Sequence, residues 1–88
     1  MTISEIKNIV RKDVPIYYRR VYAGCAILDF AGKKHQVNLD WTIETSPFGT
    51  KETTVTVSDK VDYPLIPLIK GLKVFIEKLD NDGKLPPL

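Results

Sequence analysis

The run His35–Glu44 constrains this chain most. Val37, Leu39, Trp41 and Ile43 occupy every second position, with Gln36, Asn38, Asp40, Thr42 and Glu44 between them. A two-residue period places one set on each face of an extended strand, so this is a half-buried strand with one wet face. Ala31-Gly32-Lys33-Lys34 before it and Ser46-Pro47-Phe48-Gly49 after it read as turns. Proline presets φ, and glycine tolerates positive φ. Strands joined by such short turns must run antiparallel.

The neighbours on both sides extend the pattern. In Lys51–Ser58, Thr53, Val55 and Val57 share one face, and Glu52, Thr54 and Thr56 share the other. Ile16–Phe30 is rich in Ile, Tyr, Val and Phe, residues that suit a pleated surface. It is long for one strand, and a bulge or bend is expected at Gly24. The two ends of the chain read as helices. Thr2 and Glu5 have capping-box spacing, with Ile3, Ile6 and Val10 following at helical intervals, which predicts a helix over 3–12 that Pro15 terminates. Leu65, Leu68, Ile69, Leu72, Phe75, Ile76 and Leu79 form a second helical stripe. Asp59 or Asp62 is available to cap it, Pro64 and Pro67 fit its first turn, and Gly83 ends it. Residues 85–88 read as an extended tail.

The expected fold is therefore α+β in the order α-β-β-β-α: one domain spanning 1–88, a three-stranded antiparallel meander with both helices packed on one face. The same element order occurs in double-stranded RNA-binding domains and in small toxin ribonucleases. The residues do not follow either pattern. Gly32-Lys33-Lys34-His35 has one histidine where the toxins' turn has two, and Pro64–Ile69 lacks the lysine pair of the RNA-binding domains. Shared order alone identifies no family.

Several classes of function are disfavoured. No Walker loop, dinucleotide fingerprint, nucleophile elbow or zinc-ligand spacing occurs. Asp80, Asp82 and Gly83 resemble part of a calcium loop but lack its first and last carboxylates. No metal or cofactor is expected. The first ten residues contain no apolar core or cleavage site, so no signal peptide is expected. The apolar stretch Leu65–Ile76 is too short and too charged to span a bilayer. One cysteine, Cys25, cannot form an internal disulfide, which suits a reducing, cytoplasmic compartment. Catalysis is not expected. His35 is the only histidine and has no evident partner set, so a small nuclease built on it is the weaker alternative. Asp29, Asp40, Glu44 and Glu52 read as a solvated strand face.

Net charge is only +2, but residues 1–34 carry seven basic against three acidic side chains. Within them Tyr17, Tyr18, Arg19, Arg20 and Tyr22 form the densest aromatic and basic cluster. Tyr18, Arg19, Arg20 and Tyr22 are the candidate binding residues, and Tyr18, Arg20 and Tyr22 share one strand face. On an open sheet face, such residues make either a protein hot spot or a stacking surface for nucleic acid. Acidic residues on the later strands favour the protein partner or self-association. A homodimer through the unpaired part of the long first strand is expected, with nucleic-acid binding as the alternative.

Overall fold

The computed structural model describes residues 1–87; within the expected tail, Leu88 lies outside the described residues. The order is β1 (Thr2–Lys12), β2 (Arg19–Phe30), β3 (Lys33–Thr45), β4 (Lys51–Val57) and α1 (Leu65–Asn81). The sheet is a four-stranded antiparallel meander in sequence order, with a single helix across one face. The expected three strands and two helices are thus corrected at the amino terminus, where residues 2–12 form a strand.

The cause lies in two β-bulges. The register of β1 against β2 slips between Ile3 and Glu5, and again between Lys7 and Val10. Each slip inserts one extra residue, which stretches the two-residue period locally to three. Ile3, Ile6 and Ile9 consequently all pack toward the core although they are three apart. That spacing is what a helix would show. Asn8, in the second bulge, has φ 56°, a left-handed conformation that asparagine tolerates better than most residues.

The other three strands lie close to their expected places. Ala31 and Gly32 both take positive φ (54° and 71°), the two-residue turn whose twist matches antiparallel strands. Val37, Leu39, Trp41 and Ile43 are buried on one face as their alternation requires, joined by Thr53 and Val55 of β4. The long second strand is not bulged: Gly24 sits in register between β1 and Leu39 of β3. Its missing side chain has a different use. A Cβ there would stand 3.1 Å from Ile6 Cγ2 and 3.2 Å from the Trp41 ring. Glycine lets the indole lie flat against the β2 backbone.

Helix α1 buries Leu68, Leu72 and Ile76 completely, one per turn, with Ile69, Phe75 and Leu79 half-buried beside them. Leu65, expected in this stripe, is 51% exposed because it precedes the first turn that touches the sheet. Pro64 occupies the N-cap position and no side chain caps that end. Asp59 instead accepts a hydrogen bond from the Asn38 amide (2.8 Å). At the other end Gly83 has φ 68°, and Lys84 N–H donates to the Leu79 carbonyl (2.9 Å). The helix runs diagonally: Gly71 lies beside Ile3 of β1, while Asp80 reaches Lys51 at the start of β4.

Candidate functional site

The helix covers the face that holds Arg20 and Tyr22, so that face is not open. Tyr22 is 1% exposed and stacks on Trp41, ring centroids 5.5 Å apart and planes 17° from parallel. Its hydroxyl accepts a hydrogen bond from Arg20 Nη1 (3.1 Å). The expectation that Tyr22 is a solvent-facing residue is therefore corrected. Arg20 donates both terminal nitrogens to Asp80 on the helix, at 2.9 and 3.1 Å, and Lys51 Nζ adds a third bond at 3.0 Å. Asp80 has a side chain only 11% exposed. The Arg20 hydrogen bond holds its carboxyl below the usual value of 3.8; burial opposes this and Lys51 reinforces it. The same bond raises the Arg20 pKa.

This ionic cluster floors an open cleft of about 840 Å³ at one end of the sheet. The cleft lies between the β1–β2 connection and the β3–β4 turn, and Arg11, Tyr17, Tyr18, Arg20, Glu44 and Glu52 contribute to its lining. Tyr18 is 46% exposed, and its carbonyl accepts a hydrogen bond from the Thr45 amide (2.9 Å), which ties the two walls together. Tyr17 packs edge-on against it at 5.7 Å and is 99% exposed. Phe48, between the lining residues Pro47 and Thr50, is 94% exposed. Arg11 lies over the Tyr22 ring (5.9 Å), and its Nε is buried with no hydrogen-bond partner among the described residues. Arg19 projects to the other face and pairs with Glu44 at 3.3 Å.

Of the four residues expected to bind, the cleft brings together Tyr18 and Arg20, with Tyr22 beneath them and Arg19 outside. Arg11, Tyr17 and Phe48 complete the site. Phe48 had a legible signal, a large ring in a turn flanked by Pro47 and Gly49, where nothing can cover it. Arg11 had none, because its position depends on the bulged strand.

His35 lies at the opposite end, stacked on Phe30 at 3.8 Å with planes 9° apart. Its Nε2 is buried without a partner among the described residues. Asp29, Asp40 and Glu44 lie on the uncovered face, each ion-paired: with Lys34, Lys12 and Arg19 respectively. Asp29 also accepts a hydrogen bond from Ser4, which with Lys34 lowers its pKa. Among the described residues no three His, Cys, Asp or Glu side chains gather as a metal site would require. No helix is long and apolar enough to cross a membrane.

The sequence matches the BB_0187 family over residues 1–81, and the chain belongs to that family. No curated protein and no solved structure matches it.

Proposed function

We propose that this member of the family is a non-catalytic binding module that grips a segment of a partner protein in the cleft between Tyr18 and the β3–β4 turn. One observation carries the reading: Tyr17, Tyr18 and Phe48 expose their rings around one cleft, above two arginines. Three large rings held in water at one place are costly unless a partner covers them. Tyrosine and arginine together make the strongest protein contacts, since they bury area while keeping a polar end satisfied. Arg11 offers a donor that a carboxylate or carbonyl of the partner would satisfy. Glu44 and Glu52 in the same lining oppose a phosphate backbone, so a protein segment fits better than nucleic acid. The motive for a homodimer through the first predicted strand disappears, because β2 is paired along its length by β1 and β3. Cys25 is free and buried, in keeping with action in a reducing compartment such as the cytoplasm.

Selection from a displayed peptide library tests this. Enriched peptides should carry an acidic residue beside an apolar one. They should lose about tenfold or more in affinity to Arg11→Ser and to the Tyr17→Ser, Phe48→Ser double variant, as hot-spot truncations do. Filter binding of single-stranded oligonucleotides at two salt concentrations is the counter-test. Tight binding that weakens steeply with salt would favour nucleic acid.

A further inference from the structure

The sheet has two edges, and the chain treats them differently. Edge β1 is interrupted by two bulges and by Asn8 in a left-handed conformation, and carries Glu5, Lys7 and Lys12. Such features prevent another strand from docking. Edge β4 has none of them. Its register with β3 runs unbroken from Lys51 to Val57, with no proline and no bulge, and Thr53–Val57 contains no charge.

The hydrogen-bond phase of β4 follows from its two ends. Ser46 N–H donates to the Thr50 carbonyl (2.8 Å), and Ser58 N–H donates to the Asn38 carbonyl (2.9 Å). In an antiparallel ladder such bonded positions alternate. The even-numbered residues of β4 therefore bond inward to β3. Lys51, Thr53, Val55 and Val57 present their amides and carbonyls outward, and among the described residues no backbone bond from elsewhere reaches them.

We propose that β4 pairs with β4 of a second copy, antiparallel about a two-fold axis at Thr54, which joins two sheets into one of eight strands. The sequence is self-complementary in this register. Thr54 faces Thr54 of the other copy, Thr53 faces Val55, Glu52 faces Thr56, and Lys51 faces Val57, so no like charges meet. The outward-facing odd residues are the ones that bond, giving about eight new backbone hydrogen bonds. The diagonal helix leaves room. It meets β4 at the Lys51 end through Asp80, and the axis sends the partner's helix to the opposite end of the joined strands. This pairing is independent of the cleft, which lies at the end of the sheet and not along its edge.

Cysteine cross-linking reads the register directly, with buried Cys25 retained and the wild type as the blank. At Thr54 the facing Cα atoms would lie ~4.5 Å apart, within disulfide range. At Thr56 they would lie about 13 Å apart, outside it. Under mild oxidation Thr54→Cys should give about tenfold more covalent dimer than Thr56→Cys. A mixture of Glu52→Cys and Thr56→Cys should cross-link as a heterodimer. Sedimentation equilibrium of the wild type should show self-association of the 10.0 kDa chain. Equal cross-linking at positions 54 and 56, or a wild type that is monomeric at every concentration, would overturn the proposal. Circular dichroism of each variant confirms that the fold is unchanged, so a negative result counts against the pairing and not against folding.

Discussion

The two ends of the sheet use the same kind of residue in opposite ways. At the end near the β2–β3 turn, Phe30 is stacked on His35 and leans on Tyr63 at 5.6 Å, and both Phe30 and Tyr63 pack against the core. At the other end, Tyr17 and Phe48 are almost wholly exposed and Tyr18 nearly half so. The first set closes the core where the connection from β4 to α1 crosses it. The second set surrounds a cleft whose floor is tied down by Asp80. An aromatic ring is thus a packing element at one end and an unsatisfied surface at the other. What separates them is whether the chain supplies a neighbour.

This contrast can be tested by breaking each end in turn. Phe30→Ala should be the most damaging, because it removes the ring that His35 and Tyr63 both contact. A loss of about 3 kcal/mol is expected in urea unfolding, the lower end of the range for truncated aromatics because Phe30 is only half-buried. For a domain of this size that is a large part of total stability.

Asp80→Ala should come next, at about 2 kcal/mol, since it strands Arg20 and Lys51 beneath the cleft. Its pH dependence has a definite sign. The Asp80 carboxyl titrates lower in the folded protein than its ordinary 3.8. Its contribution is therefore complete above that value and is lost as pH falls through the folded value. The stability difference between wild type and Asp80→Asn should be constant near neutrality and shrink below pH 3.8. A gap that widens in acid would show that Asp80 does not bear the charge assigned to it.

At the open end the expected effect on stability is smallest. Tyr17→Ser combined with Phe48→Ser should stay within about 0.5 kcal/mol of the wild type, as surface substitutions do. A loss comparable to that of Phe30→Ala would mean that these rings also pack, and the contrast between the ends would collapse.

Much of this arrangement was legible in the residues. The alternation in β3 and β4, the turn at Ala31-Gly32 and the helix from Leu65 to Gly83 follow from local periodicity and turn chemistry, and the structure keeps them. The amino-terminal strand was not legible, because two bulges space Ile3, Ile6 and Ile9 as a helix would. That error carried over to β2, whose unpaired stretch existed only while β1 was read as a helix. Strand β2 has apolar side chains on both faces: Tyr22, Ala26 and Leu28 toward the helix, and Val21, Ala23, Cys25 and Ile27 away from it. No alternation there says which face is covered, and Tyr22 and Arg20 were placed on the wrong one. The Arg20–Asp80 pair joins residues sixty positions apart, a contact that local pattern cannot foresee.

Amide chemical-shift mapping with a peptide selected on the wild-type protein tests the central claim most directly. The account predicts that the shifts concentrate at Tyr18, Thr45, Ser46 and Thr50 around the cleft, and that the Tyr17→Ser, Phe48→Ser variant loses them while keeping its fold. Shifts centred on Lys34 and His35 at the closed end, or on Gln36, Asn38 and Thr56 of the polar face, would contradict it.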